Sequence, residues 1–417
     1  GTNTPWVACV STSTLRVKDV AGGSASLSTA ANLFPVYFDR TVISGTPYGV
    51  LQTYNTAAVK WQTFYASTVA TWFEITDTDF PASPIGKMEH IDGYAFQMTS
   101  TNRIHGSDLN SLSAWSATNF VTKSIEQDEA RGLARYKNLL LAFGSETVEA
   151  YYNAGYATGS PLERIPQLSA KVGLRIDLAD INPTGAPTLG QRHYYTVLDG
   201  KLYFSGREGG TGEENWGIYV FDGQRFYRIS TPQIDRSFAN GVPLHIGVLN
   251  MRGQIGIAFA ANGPTAATQE WAMYFPKWNE WFEWSSIVVQ PISSGRSVLG
   301  IGTTGTAAHQ FTADNNVWVD WTASTYPFQH TFMLPTSGQY QQMRMAGVVG
   351  DTARSAQLLG VEFSDDDYQT WRTAPDIDMT TEQKRIFRQG GFHERAVRLT
   401  YTGTLDIRMH KFVAKIV

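Results

Sequence analysis

Apolar and polar residues alternate with a period of two along most of this chain, in short runs rich in β-branched and aromatic residues that stop at Gly, Asn, Asp or Ser. Apolar positions spaced i, i+3, i+4 are nearly absent, so the pattern predicts strands with almost no helix. The clearest strand–turn–strand units are 138–152 (NLLLAFGSETVEAYY), turning at Gly144-Ser145, and 199–229, where LYFSG and WGIYVFDGQRFYRI flank a glycine-rich loop. Asp222-Gly223 in the second unit predicts a type I′ hairpin, a turn whose two central residues both take positive φ. QIGIAFA (254–260) is expected to pair with EWAMYF (270–275), and SVLGIGTTG (297–305) leads towards another strand at NNVWVDW (315–321).

Several units share one grammar: a Gly or Asp-Gly turn, an apolar strand, a second turn, and an aromatic-rich strand ending near Trp or Tyr. Radial repetition of such units, here with an irregular period of roughly 40 to 60 residues, is how β-propellers protect their strand edges. The expected architecture is all-β: a propeller-like body over 1–335 and a β-rich C-terminal domain over 336–417, the boundary lying where the pattern loosens at 322–342 (TASTYPFQHTFMLPTSGQYQQ). A β-sandwich or a string of small β-domains fits the same pattern. Beyond the boundary, AQLLGVEF (356–363) reads as a strand and Asp365, Asp366 and Asp367 as an acidic turn. The tail of the chain is locally basic, with Lys384, Arg385, Arg388, Arg395, Arg398, Arg408, Lys411 and Lys415 against Glu394 and Asp406.

Composition agrees with many short strands and tight turns. Of 417 residues, 38 are Gly and 13% are aromatic, while only 17% are charged, below the ~25% usual for soluble domains. The single cysteine, Cys9, can form no internal disulfide and reads as a small strand residue in WVACVS. A net charge of -4 gives no general basic excess for non-specific DNA binding. No apolar run of about 18 residues is present, and the opening GTNTPWVACV lacks a charged segment followed by an apolar one. That the chain opens on Gly1 fits processing, trimming or an earlier segment.

Candidate chemistry is sparse. The histidines (His90, His105, His193, His245, His309, His330, His393, His410) never stand at i, i+2 or i, i+4, so no metal site is expected, and no cofactor motif appears. The glycine-rich loop at 206–215 (GREGGTGEEN) leads to a strand and lacks the helix N-terminus of a phosphate cradle. Glu126, Asp128, Glu129, Glu146 and Glu149 read as solvated surface carboxylates rather than an acid/base pair. Trp278, Trp281 and Trp284 in PKWNEWFEW are candidates for packing or a subunit interface, with sugar stacking as the alternative. Lys384, Arg385 and Arg388 are candidate channel or inter-subunit cations, and charged guards of strand edges on the plainer reading.

A linked series in 91–174 adds a resemblance. In order it runs IDGYAFQM (91–98), SDL (107–109), Trp115, LLLAFGSETVEAYYNAG (139–155), PLERI (161–165) and KVGL (171–174). The series resembles the packaged-DNA stabilization proteins, or tail hub (nozzle) proteins, of short-tailed bacteriophages. Towards the C-terminus, SDDDYQTW (364–371) resembles the Ser-x-Asp-Gly-Gly-x-Thr-Trp turn of such proteins, with the glycines replaced by Asp366 and Asp367 or displaced, and KRIFRQGGFHERAVRL (384–399) resembles their basic, glycine-broken strand pair. The resemblance implies a β-propeller protein of the virion tail with no catalytic role and no cofactor. It implies a homo-oligomer, a six-fold ring below the portal and its adaptor protein, beside other tail proteins such as a tailspike or fibre and a needle or plug. Such a ring lines the exit channel and helps retain packaged DNA without reading its sequence. The alternatives are a propeller glycosidase and a carbohydrate-binding adhesin acting on host surface glycans.

Overall fold

The computed structural model describes the chain apart from residues 1–5, 12–13, 20–23, 29–32, 56, 127, 157, 177–193, 209–215, 239–242, 252–253, 263–268, 287, 295–296, 303–307, 312–327, 335–338, 351, 354–356 and 403–408. It divides into two compact units, Gly1–Ser230 and Thr231–Val417. Nearly every described element is a strand, and all the strand pairings given by the structure are antiparallel; the helix Pro232–Ser237 is short. Cys9 lies on the strand Trp6–Ser11. Most of the 206–215 loop and all of 315–321 fall outside the described residues.

After a three-stranded N-terminal sheet, the first unit repeats one motif, a meander in which each strand pairs with the next. Blade A comprises Leu33–Ile43, Thr46–Asn55, Lys60–Thr68 and Thr71–Glu74. Blade B comprises Pro84–Ile91, Tyr94–Thr99, Arg103–Ser107 and Trp115–Thr122. Blade C comprises Ala130–Tyr136, Leu139–Gly144, Val148–Asn153 and Leu162–Ala170. In blade D two short strands, Val172–Leu174 and Tyr195–Leu198, share one edge of Lys201–Glu208, which continues to Trp216–Phe221 and Phe226–Arg228. These are consecutive propeller blades, and a single apolar core runs through all of them, from Tyr37 and Tyr54 through Phe96 and Phe143 to Phe204 and Phe221. Because blades cover one another's faces, a middle strand such as Leu139–Gly144 is buried on both sides. That is why LLLAFG is a continuous apolar run rather than an alternating one.

Turns follow the local chemistry, with one exception. Ser44-Gly45, Asp92-Gly93 and Asp199-Gly200 each close a two-residue hairpin with both residues at positive φ. The expected type I′ turn at Asp222-Gly223 is instead a four-residue loop, since Phe221 pairs with Phe226 and only Gly223 has positive φ. The Asp222 carboxylate accepts the N–H groups of Gln224 and Arg225 at 2.9 and 3.0 Å and so builds a wider turn.

Blades B and C each carry an irregularity on their first strand. Register shifts between Ile85 and Glu89, and again between Ala130 and Gly132, and a bulge of this kind leaves backbone groups without ladder partners. Side chains from other strands supply them. The Tyr194 hydroxyl accepts the Lys87 N–H at 3.0 Å and donates to the Leu133 carbonyl at 2.7 Å. Gln52 Oε1 accepts the Met88 N–H at 2.8 Å, while Gln97 Nε2 donates to the carbonyls of Ile85 and Gly86 at 3.2 Å. Gly86 (φ 69°) and Gly132 permit the close approach: a Cβ on Gly86 would lie 2.8 Å from the Gly132 Cα.

In the second unit the strands Pro243–Met251, Gln254–Asn262, Gln269–Phe275 and Glu280–Ser286 form a further meander, with the expected pairing of 254–260 and 270–275 present. Phe328–Met333 pairs with Ala396–Tyr401 along its whole length. The division at Ser230 thus lies inside the stretch expected to form one body over 1–335, and the strand just before the expected boundary joins the sheet of the residues beyond it. Two sheets enclose the C-terminal core. Ala396–Tyr401, Leu358–Ser364 and Arg372–Asp378 supply Val397, Leu399, Val361 and Phe363, while Gln341–Gly350, with Arg385–Phe387 and Met409–Ile416 alongside, supplies Met343 and Ala346.

The turn at 364–371 takes the form that its motif suggests. Ser364 Oγ donates to Asp366 at 2.8 Å and accepts the Tyr368 N–H at 2.9 Å, and Asp366 also accepts the Thr370 N–H and hydroxyl. The glycine positions of the motif fall not on Asp366 and Asp367 but on Asp367 (φ 56°) and Tyr368 (φ 68°), both left-handed, while Asp366 takes the place of the motif's own Asp. Asp365 stays exposed in the turn and receives a two-pronged ion pair from Arg395, Nε to Oδ1 at 2.5 Å and a terminal nitrogen to Oδ2 at 2.6 Å. Arg395 is buried between Phe363 and Phe392.

Two substitutions test these supports. Tyr194→Phe is expected to cost about 1–3 kcal/mol, because it leaves the Lys87 N–H and the Leu133 carbonyl buried without partners; denaturant unfolding of the purified chain measures it, and a neutral result would refute the bridging role. Arg395→Lys keeps the charge but cannot span both Asp365 oxygens. It should lower the melting temperature of the second unit, and an unchanged transition would argue against a structural role for the pair.

Candidate functional site

The first strands of blades A to D bring their side chains to one polar recess of about 400 Å³. Blade A contributes Asp39 and Arg40, blade B Lys87, Glu89 and His90, blade C Arg135 with Lys137 just beyond it, and blade D Tyr195 and Val197. The bulge in Pro84–Ile91 shapes the floor. With the register shifted there, Lys87 and Glu89 turn their charged ends to each other: Lys87 Nζ lies 2.6 Å from Asp39 Oδ2 and 3.2 Å from Glu89 Oε1, and the Tyr195 hydroxyl donates to Glu89 at 2.5 Å. The Lys87 ammonium also sits 4.8 Å from the centre of the Tyr195 ring.

Burial decides the protonation states. Burial alone would lower Lys87, but the Asp39 and Glu89 carboxylates outweigh it and hold the ammonium charged, well above the ordinary range. Burial raises Glu89 to about 7, against the opposing pull of Lys87. Burial likewise pulls His90 down to about 3, leaving a neutral imidazole whose Nε2 has no hydrogen-bond partner among the described residues. The Tyr195 phenol is raised by burial and by Glu89. The site therefore holds one firm ion pair, Lys87–Asp39, beside a carboxyl group that titrates near neutrality.

None of these residues stands out in the sequence as a site residue, and His90 is there only one of the scattered histidines. The available signal was IGKMEHI, a strand-like run with Lys87, Glu89 and His90 crowded on it. The residues that were singled out lie elsewhere. Trp278 is in the turn before Glu280–Ser286 and is 43% exposed; Trp281 is buried against Phe259 and Tyr274, at 5.4 and 4.9 Å between ring centres. Trp284 stands opposite Trp271 in the strand register, with its side chain outside the described residues. The three tryptophans thus form no common exposed face. Lys384 is buried, its ammonium donating to the Thr381 carbonyl at 2.8 Å, and so cannot line a channel; Arg385 and Arg388 are exposed.

Of the carboxylates expected at the surface, Glu126 and Glu129 are there, whereas two others need a similar correction. Glu149 is fully buried, accepting the N–H groups of Ser124 and Ile125 at 2.9 and 2.7 Å and the Tyr151 hydroxyl at 2.8 Å. Asp128 accepts the N–H groups of Glu146 and Thr147 and pairs with the buried Lys123 ammonium. Burial would raise Asp128, but Lys123 and these donors hold it below the usual carboxylate range. Both groups tie the 144–149 stretch of blade C to the 123–128 connection that leads into it from blade B. Among the described residues no cluster of His, Cys, Asp and Glu could hold a metal ion, and no helix is long and apolar enough to cross a membrane.

No family model and no curated protein matches the chain. Among solved structures it is similar to BamB from Moraxella catarrhalis (14% identity, 73% of this chain and 83% of that one, TM-score 0.38). It is also similar to YCF48 bound to D1 peptide (13% identity, 72% and 87%, TM-score 0.36) and to an exo-β-1,3-galactanase from Phanerochaete chrysosporium (8% identity, 99% and 100%, TM-score 0.31). The propeller architecture rests on the chain's own strand pairing rather than on likeness at this level.

The two titrating groups pull stability in opposite directions. Glu89 is raised from 4.5, so its contribution is complete below about pH 4.5 and is lost as the pH rises through about 7. His90 is lowered from 6.5, so its contribution is present above that value and lost as the pH falls towards 3. Glu89→Gln removes only the first. Relative to the unsubstituted chain, the variant is expected to gain roughly 2–3 kcal/mol between pH 5 and pH 8, read from melting curves across that range. A difference that stays constant with pH would mean that Glu89 is not protonated in the fold.

Proposed function

We propose that this chain is a structural component of the tail of a short-tailed bacteriophage, a subunit of a homo-oligomeric ring that meets the portal adaptor and lines the DNA exit path. The observation that carries the reading is the placement of the ordered series in 91–174. It occupies blades B and C and the strand that opens blade D. Its polar members Gln97 and Ser107 are tied into the blades, Gln97 closing the bulge and Ser107 Oγ accepting the Ala95 N–H at 2.9 Å, and its Gly173 lies where a Cβ would be 2.1 Å from the Ser145 carbonyl carbon. A motif series that specifies how successive blades lock together suits a protein that acts through shape and interfaces.

A glycosidase is the second reading, favoured by one observation: Glu89, titrating near 7, shares a recess with Asp39, as an acid and its partner carboxylate would. Against it stands Lys87, whose ammonium touches both carboxyls and fills the space between them where a scissile bond would have to lie. Release of reducing sugar from host envelope glycan by the purified chain would establish the second reading.

The tail reading predicts that the chain is present in purified virions and that negative-stain images show it as rings, alone or on portal complexes. A chain that stays monomeric and is missing from particles overturns it.

A further inference from the structure

The recess at the first strands of the blades carries more positive than negative groups. Arg40, Lys87, Arg135 and Lys137 line it against the two carboxyls of Asp39 and Glu89. Asp39 is already matched by Lys87 at 2.6 Å, and Glu89 is engaged by the Tyr195 hydroxyl. Arg40, Arg135 and Lys137 are exposed and come from two different blades. Blade closure alone does not call for these cations: the backbone groups near the bulge are satisfied by Tyr194, Gln52 and Gln97 instead. Like charges gathered around one concavity repel each other unless an anion is bound there, and the field in such a cleft concentrates anions. A volume of about 400 Å³ lies in the range of small-molecule sites and holds a group as large as a sugar acid.

We propose that this recess binds a small oxyanion, a carboxylate or phosphate group, held between Arg40, Arg135 and Lys137 above the Lys87 ammonium. A guanidinium can meet either group with two parallel N–H donors. Tyr195 and the Asp39 carboxylate offer polar partners to any hydroxyls that the ligand carries. The inference does not depend on the tail reading, since it concerns the interior of one subunit's first unit.

Isothermal titration of the full chain at low salt tests it with inorganic phosphate, glucuronate and, as a neutral control, glucose. Saturable binding of phosphate or of glucuronate, weakened at least tenfold in the Arg135→Gln/Lys137→Gln variant and also in Arg40→Gln, is the expected result, and whichever anion binds identifies the source of the group. Because these side chains are exposed, the ligand-free melting temperatures of the variants should match that of the unsubstituted chain. If one variant fails to fold, the other carries the comparison. No saturable binding of either anion, equal binding of glucose, or undiminished binding by the folded variants would each overturn the proposal.

Discussion

The Tyr194 hydroxyl holds the first unit together at its most demanding point. It joins an N–H of blade B to a carbonyl of blade C from a position at the edge of blade D. The bulged strand 84–91 could not otherwise be buried, because each unpaired backbone group in an apolar surround costs a large part of a hydrogen bond. Gln52 and Gln97 complete the set, and Gly86 and Gly132 let the backbones meet. The recess is a consequence of this repair. A regular strand would keep strict alternation through 85–89, whereas the bulge brings Lys87 and Glu89 to the same polar opening.

The same economy runs through the residues on which the family resemblance rests. FGSETVE reads as a hairpin with charged decoration, yet its turn amides are received by Asp128, its Glu149 is interior, and Lys123 is locked between Asp128 and Thr147. Gly144 leaves room for the Asp128 carboxylate, and Gly173 leaves room for the turn itself. Interior charges of this kind contribute little net stability, but they fix one arrangement, because removing either partner strands the other in a medium that solvates it poorly.

In the C-terminal domain the local excess of basic residues splits on inspection of burial. Lys384 and Arg395 are interior, tied to Thr381 and Asp365, whereas Arg385 and Arg388 remain at the surface. Charge counted along the chain therefore overstates the charge that a partner could meet. The acidic triplet divides in the same way, with Asp365 in an ion pair, Asp366 organising a turn and Asp367 supplying a left-handed residue.

By itself the sequence determined the all-β class, the hairpins at 138–152 and 254–275, and the near absence of helix, because alternation and turn chemistry are local and survive without knowledge of the fold. A turn at 364–371 was also legible, since the bonds that Ser364, Asp366 and Thr370 make there span only a few residues. What only the tertiary structure decided is which polar groups are interior and what they face. Tyr194 lies 107 residues from the amide that it receives, and Gln52 lies 36 residues from its own. No periodicity marks such partners, for a buried polar side chain is defined by a distant group that satisfies it. The recess has the same character: each blade contributes only one to three of its residues, and they meet only when the blades pack.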